Sequence, residues 1–424
     1  MIDFTRAADR FADELRDVAL PRVALVEHTI ATPPAIGDVE EAVQEAVRAV
    51  DLPRGSVAIG VGSRGIARID EIVVTLVREL RANGAQPFIV PAMGSHGAST
   101  AEGQVEVLAH LGITEASMGV PIRATMETVV VGTTDDGLPV YVDALAYAAD
   151  AIVVVNRVKP HTSFRGPIES GPSKMLAIGL GKLDGARSIH SLGWAGMRTN
   201  VVSAARAVLA TGKIAFALAI VENAHDEPCR LEAISAAELP SREPVLLEEA
   251  KANLARLPFD RIDVLVVDHV GKNISGGGAD PNVTGRFPSD QISGGPSVQR
   301  LVYLAMTDVS DGNGNGIGLA DVVSAELAAR WDPLPTYLNA LTTTAAGNSR
   351  LPMVMPTKPL AVAAALRMCA GVEPERAIVV RIASTLQLDR MWLSEAALAA
   401  AGDRVRALTP FTELSLDDGY ASRE

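Results

Sequence analysis

Apolar runs separated by amphipathic helical segments recur along the first half of the chain. Residues 56–61 and 87–90 form apolar, strand-like runs, and residues 69–82 between them carry apolar side chains at helical spacing. A strand, a helix and a second strand in this order are typical of a βαβ unit, whose strands run parallel. A third apolar, β-branched run at residues 151–155 predicts another buried strand.

The alternation resumes after a charged helix predicted at residues 244–257. Further elements are predicted as strands at 262–267, 300–306 and 377–380 and helices at 320–331 and 393–401. We therefore expect an α/β fold of two domains with mostly parallel sheets flanked by helices and an active site in the interdomain cleft. The predicted domains are residues 1–258, which the irregular tail 403–424 could join, and residues 259–402.

Composition narrows the class of protein. A length of 424 residues favours two domains, and a hydrophobic content of 48% with 21% charged residues is typical of a globular protein. The formal net charge of −13 argues against a nucleic-acid partner, which needs clustered Lys and Arg. Cys229 and Cys369 form no CxxC pair, no signal peptide is evident, and no apolar stretch is long enough for a membrane span. We expect a cytoplasmic protein that does not bind membranes.

Three loops with candidate chemistry each follow a predicted strand. They are Gly62-Ser63-Arg64-Gly65, Gly94-Ser95-His96-Gly97 and Lys159-Pro160-His161. Because ligands bind at the carboxyl ends of strands in an open parallel sheet, an arginine and two histidines are expected at one crevice. A histidine in a loop is by default a surface group. The prediction therefore rests on the strand-end position that the three loops share.

The first of these loops also mimics a dinucleotide-binding fingerprint. Gly60 to Gly65 spells GxGxxG between a predicted strand and a predicted helix. The next strand, however, ends in Pro91 with no acidic residue to hold a ribose hydroxyl. A nicotinamide-dependent dehydrogenase is therefore an alternative with weak support.

Lys174 and His190 are the remaining candidates in the segment that follows residues 151–155. Lys174 could be an ordinary helix-face lysine, but it stands between a Gly-Pro-Ser turn and an apolar helix. Desolvation there would lower its pKa and suit a nucleophile or an attachment point. His190 could cap a helix or bind a metal, yet no second ligand lies at suitable spacing. If a metal binds, most of its ligands must come from something other than side chains.

These motifs together resemble a known family. Val158-Lys159-Pro160-His161, Gly166-Pro167, Gly171-Pro172-x-Lys174, Gly179-x-Gly181 and Ile189-His190 are similar to motifs of the nickel-pincer lactate racemases. Arg64 and the His96 loop also lie where that family keeps an arginine and a histidine. The similarity in layout extends over roughly the first half of the chain and, more loosely, over the second domain.

The resemblance implies a role for each candidate. Lys174 would carry a covalently attached nickel-pincer nucleotide (nickel pyridinium-3,5-bisthiocarboxylic acid mononucleotide), and His190 would supply the fourth nickel ligand. His96 and His161 would be the acid/base pair, and Arg64 would bind the substrate carboxylate. The implied partners are a small 2-hydroxy acid and the enzymes that make the cofactor.

The implied chemistry suits these residue types. The carbon-bound hydrogen of a 2-hydroxy acid is poorly acidic beside an ionised carboxylate, and a hydride route avoids a carbanion. Histidine, with an unperturbed pKa of roughly 6.5, can take or return the hydroxyl proton near neutral pH. The arginine fork binds a carboxylate through two hydrogen bonds.

Departures from the family pattern bear on the substrate. Compared with the lactate racemases, this chain has extra residues at about 167–170 and a serine, Ser173, in place of an arginine. The Tyr-Gln-x-x-Lys segment of their second domain is not found in this chain. Lys272 or Arg286 could supply the second cation in its place. We predict a racemase or epimerase of a 2-hydroxy acid, not necessarily lactate. The alternatives are the NAD-dependent dehydrogenase and a non-catalytic two-domain ligand-binding protein.

Overall fold

The structure, a computed structural model, describes residues 3–5, 7–63, 65–289, 292–343 and 346–416. The chain divides into two compact units, one of residues 32–254 and one of residues 1–31 with 255–424. The helices are α1 (Ala8–Glu14), α2 (Val39–Val47), α3 (Ile69–Ala82), α4 (Ala101–His110), α5 (Glu115–Met118), α6 (Ala144–Ala148), α7 (Pro172–Lys174), α8 (Lys182–His190), α9 (Gly193–Leu209), α10 (Leu239–Asn253), α11 (Pro281–Thr284), α12 (Ala325–Arg330), α13 (Pro333–Thr343), α14 (Lys358–Arg367) and α15 (Glu395–Ala401).

The strands alternate with these helices along most of the chain. They are β1 (Arg22–His28), β2 (Gly55–Val61), β3 (Ala85–Pro91), β4 (Thr128–Thr133), β5 (Pro139–Asp143), β6 (Ala151–Arg157), β7 (Ile214–Glu222), β8 (Pro228–Ser235), β9 (Arg261–Val270), β10 (Ser297–Met306), β11 (Val322–Ser324), β12 (Met353–Met355), β13 (Val379–Ile382), β14 (Arg390–Ser394), β15 (Val405–Ala407) and β16 (Thr412–Glu413). The predicted α/β class is confirmed.

The unit of residues 32–254 is built on a five-stranded sheet in the order β3-β2-β6-β7-β8. Its first four strands are parallel, and β8 pairs antiparallel with β7. Along β6, Ile152 and Val154 pack into the core on one face, while Val153 and Val155 pack into the core on the other. Because successive side chains point to opposite faces and both faces are covered, the whole run is apolar.

The second unit contains a larger mixed sheet in the order β12-β11-β10-β9-β13-β14-β1-β15, with β16 paired to β1. The first five strands in this order, from β12 through β13, are parallel to their neighbours. The pairs β13–β14, β14–β1 and β1–β15 are antiparallel. Over the described residues of both units, no helix is both long and apolar enough to cross a lipid bilayer.

The domain limits differ from those expected from the sequence. Residues 1–31 were expected in the first domain, but β1 pairs with β14 and β15 and belongs to the second unit. The tail expected to be irregular supplies β15 and β16 to the same sheet. A strand's own apolar pattern does not say which sheet it joins, because pairing over almost 400 residues leaves no local signal.

Two predicted helices of the second unit are also shorter than expected. The predicted helix at 320–331 begins as strand β11 and becomes helical at α12, and the predicted helix at 393–401 starts only at α15. In both cases a serine, Ser324 or Ser394, caps the helix and marks the change from strand to helix.

Candidate active site

The sheet order places the three candidate loops at one edge of the first unit. Strands β3, β2 and β6 are parallel neighbours, so the chain leaves all three at the same side. The Gly94 N–H donates to the carbonyl of Gly179 at 3.1 Å. A β-carbon on Gly62 would lie 3.3 Å from the Met175 methyl group. The segment that follows Lys174 therefore packs against the loops from β2 and β3.

Lys174 ends α7, and the chain continues as a π-helical turn, Met175–Gly179, before it reverses into α8. Along a straight α-helix, Lys174 and His190 would be about 24 Å apart. The reversal occurs at Gly181 and Lys182, where Lys182 has a left-handed backbone with φ of 53°. A β-carbon on Gly181 would lie 2.8 Å from the Gly185 Cα, so glycine permits this tight turn.

The reversal brings His190 within electrostatic range of Lys174. Burial lowers the pKa of His190 below its ordinary value, and the positive charge of Lys174 lowers it further. The Nδ1 atom of His190 lies 2.7 Å from the Ala186 carbonyl, which can only accept a hydrogen bond. Nδ1 therefore carries the proton, and Nε2 keeps a free lone pair suited to a metal.

Trp194, at the start of α9, lies between two of the candidate histidines. Its ring centroid is 5.8 Å from that of His190, in an edge-on arrangement, and 6.2 Å from that of His161. The ring centroid of Phe164 lies 4.4 Å from that of His161. No local motif marks Trp194 as a site residue, so only the fold shows its place beside the two histidines.

Glu169 fixes the loop that carries His161. Its side chain is fully buried, and its carboxylate accepts a hydrogen bond from the His161 backbone N–H at 2.8 Å. Two cations neutralise it, Arg165 at 3.3 Å and Lys251 at 3.1 Å. The Ser163 N–H donates to His161 Nδ1 at 3.0 Å, so the neutral imidazole carries its proton on Nε2. Glu169, one of the residues 167–170 predicted to be extra, therefore orders this loop.

A second buried carboxylate, Glu243, holds the start of the helix that carries Lys174. The Ser173 N–H donates to Glu243 Oε2 at 3.0 Å, and the Ser173 hydroxyl donates to the same oxygen. Burial raises the pKa of Glu243 to about 7, against the lowering effect of the two bonds from Ser173. A β-carbon on Gly171 would lie 2.2 Å from Glu243 Oε1, so any larger residue there would require this carboxyl group to shift.

His96 lies on the exposed end of its loop, and its Nδ1 is hydrogen-bonded to the Ser63 hydroxyl. Two of the three strand-end loops therefore meet through these side chains. Arg64, the residue after Ser63 and the proposed carboxylate contact, lies outside the described residues.

Lys272 and Arg286 occupy different ends of the second unit's sheet. Lys272 follows the carboxyl end of β9, and its ammonium donates to the Gly276 carbonyl and to Asn339. Arg286 instead donates to backbone carbonyls at the amino end of β10 and pairs with Asp321 at 2.8 Å. At about 3.3 Å per residue, β10 separates these two positions by more than 20 Å, too far for one small carboxylate. The structure thus assigns Arg286 a structural contact and does not bring it to Lys272.

No group of three His, Cys, Asp or Glu suited to a metal ion occurs among the described residues. The side chains that the fold brings near one another are a lysine and a neutral histidine on one reversed helical segment, with an aromatic ring and a second histidine beside the histidine. This set defines an α/β protein with a lysine–histidine site at the carboxyl edge of a parallel sheet.

Residues 23–199 match the family model of the lactate racemase N-terminal domain. These residues therefore form a domain of the lactate racemase N-terminal type. His96, His161, Lys174 and His190 all lie in the matched range. No curated protein matches the chain.

Two solved structures are among those similar to this chain. The lactate racemase apoprotein from Thermoanaerobacterium thermosaccharolyticum has a TM-score of 0.47 and 12% identity, and the match covers 86% of this chain and 99% of that one. A protein from Thermotoga maritima has a TM-score of 0.46 and 16% identity, and the match covers 63% of this chain and 69% of that one.

Proposed function

We propose that this protein is a racemase or epimerase of a 2-hydroxy acid that works with a nickel-pincer nucleotide bound to Lys174. The observation that carries the proposal is the helix reversal at Gly181 and Lys182. It brings the lysine and a histidine with a free Nε2 lone pair into electrostatic range. The match of residues 23–199 to the lactate racemase N-terminal domain supports the same conclusion.

The residues present fit such a group. His190 is neutral and has one nitrogen free for a metal, yet the described side chains provide no cluster of further ligands. A group that brings its own ligands and takes one from the protein would suit this site. Lys174 would hold it covalently and His190 would bind its nickel. When bound, the group supplies a place for hydride taken from the substrate carbon and returned to it.

The two remaining histidines would handle the hydroxyl proton. Nδ1 of His96 is hydrogen-bonded to the Ser63 hydroxyl, and Nδ1 of His161 accepts from the Ser163 N–H, so both imidazoles are held in a definite orientation. A histidine at each face of the substrate could take the proton from one enantiomer and return it to the other. Arg64 would bind the carboxylate, and Lys272 is the remaining candidate for a second cation.

The substrate need not be lactate. By the resemblance, Ser173, which is hydrogen-bonded to Glu243, stands where the lactate enzymes carry an arginine, and Glu169 lies in the stretch 167–170 predicted to be extra. These differences lie beside the proposed cofactor lysine and His161. Larger 2-hydroxy acids and sugar acids are therefore proposed as substrates on equal terms with lactate.

Two alternatives have less support. In a dinucleotide fingerprint, the glycine-rich turn opens directly into a helix, but α3 begins four residues beyond Gly65. Titrating NADH and following its fluorescence tests that dehydrogenase, and we expect no binding. A ligand-binding protein would keep its ligand when His96 or His161 is replaced by Asn, whereas a racemase loses turnover.

The direct test is a racemisation assay. The full chain is produced together with cofactor-making enzymes, and single enantiomers of 2-hydroxy acids and sugar acids are offered in D2O. We expect the opposite configuration to appear by chiral chromatography without deuterium at the reacting carbon, because hydride does not exchange with water. Deuterium at that carbon would indicate proton abstraction and contradict the mechanism. No inversion of any acid would contradict the function.

A further inference from the structure

The loop that carries His96 has an unfavourable backbone conformation. Gly94, Gly97, Ala98 and Ser99 all have φ between 53° and 63°, in the left-handed region. Glycine adopts this region freely, but alanine and serine do so at a cost. Such a loop persists only when its surroundings hold it in place.

Gln104, on α4, stabilises this loop through hydrogen bonds. Its side chain is fully buried, and its amide nitrogen donates to the carbonyls of Gly94 at 2.9 Å and His96 at 3.3 Å. Both amide protons are thereby used on the backbone of the histidine loop. A glutamate of the same shape could not make either bond, since a carboxylate only accepts.

Lys182 in turn fixes the orientation of Gln104. It is fully buried at the helix reversal, and its ammonium donates to Gln104 Oε1 at 2.9 Å. It also donates to the Pro91 carbonyl and pairs with Asp143 at 3.0 Å. Because an ammonium can only donate, the Gln104 oxygen must face Lys182 and its nitrogen must face the loop.

We propose that Gln104 and Lys182 are positioning residues for His96. Lys182 stands at the turn that brings Lys174 towards His190, and through Gln104 it also reaches the histidine loop. One buried ammonium therefore links the segment that would hold the cofactor to one of the two proposed acid/base groups. The catalytic meaning of this link rests on the function proposed above, but the link itself can be tested without cofactor or substrate.

The test replaces Gln104 with Glu in the full chain. The variant keeps the contact with Lys182 and removes both donors to the loop. Hydrogen exchange of peptides covering residues 93–100 should become faster by about tenfold, which corresponds to about 1.4 kcal/mol. Peptides from β6 and α9 should keep their rates. Gln44→Glu, with the same change in charge on a half-buried residue of α2, is the matched control and should leave the loop unchanged.

A second measurement separates positioning from general destabilisation. The seven histidines are labelled with 15N, and the His96 signal is identified by its loss in His96→Asn. In Gln104→Glu, the His96 Nδ1 signal should move towards the value of free imidazole as its bond to Ser63 is lost. The signals of His161 and His190 should stay in place. Movement of all three would indicate a structural role and overturn the proposal, as would an unchanged His96 signal and unchanged exchange.

Two further variants cover poor folding and the role of Lys182. Gln104→Met also lacks the donors but adds no charge, so it should reproduce the result if the glutamate variant fails to fold. Lys182→Met combined with Asp143→Leu removes both buried charges together. It should speed exchange in residues 93–100 and also in residues 174–190, and unchanged rates in either segment would contradict the role of Lys182. An inactive wild type would refute the proposed function while these measurements still decide the positioning.

Discussion

Glu243 offers a quantitative test of how the Lys174 helix is held. Its carboxyl is buried against Ser173, and its pKa is raised from an ordinary 4.5 to about 7 by that burial. A carboxyl with a raised pKa in the folded state stabilises the protein fully below its unfolded pKa. That contribution is lost as the pH rises through about 7, because the folded state must then hold a buried charge.

The size of the effect follows from the two pKa values. Each pKa unit is worth about 1.4 kcal/mol. The rise from 4.5 to about 7 therefore removes about 3 kcal/mol of stability between pH 4.5 and pH 8. Glu243→Gln is neutral at every pH, and its side-chain oxygen can still accept from both donors of Ser173. The variant should differ least from wild type near pH 5 and should gain about 2.5 kcal/mol relative to it between pH 5 and pH 8.

The assay is hydrogen exchange in increasing urea between pH 5 and pH 8, read on peptides covering residues 171–180 and 239–253. These peptides report on the unit that contains Glu243 and not on the second unit. Glu248→Gln, at an exposed carboxylate on the same helix, is the matched control and should follow wild type at all pH values. Parallel pH curves for wild type and Glu243→Gln would refute the reasoning.

Three further predictions concern the same unit. His190 should titrate below its ordinary pKa of 6.5 by NMR, so its contribution to stability is present above that value and lost as the pH falls; a midpoint at or above 6.5 would contradict this. Glu169→Leu should cost about 2 kcal/mol in urea unfolding and speed exchange of residues 161–166, and Glu169→Gln should cost less because it still accepts from the His161 N–H; equal effects would argue against a role for that hydrogen bond. Gly179→Ala should cost about 1–3 kcal/mol, because the new β-carbon would lie 2.6 Å from the Ala92 carbonyl oxygen, whereas Gly65→Ala, with open space around it, should have little effect.

The elements at the sheet edge could be predicted because their signals are local. Helix α3 has the limits that its apolar spacing predicts, and the apolar run at 151–155 is the core of β6. Parallel strands end at the same edge of a sheet. The placement of His96 and His161 at that edge therefore followed from the common direction of the strands.

The rest depends on features that have no local signal. The helix reversal requires a left-handed lysine at Lys182, a conformation that its residue type does not favour. Its neighbour Gln104 is one of several polar residues in α4, and only the fold shows that it contacts the histidine loop. Glu169 and Glu243 are likewise buried acids, which sequence patterns assign to the surface by default.

The central claim is that Lys174 carries a nickel-binding nucleotide, and the most direct measurement is the mass of the peptide that contains it. The full chain is produced with the cofactor-making enzymes, digested and weighed, and nickel is measured in the intact protein. We expect a heavier Lys174 peptide and nickel in wild type and in His96→Asn, and an unmodified peptide without nickel in Lys174→Arg. An unmodified Lys174 peptide and no nickel in wild type, while a lactate racemase made in the same cells is modified, would contradict the account.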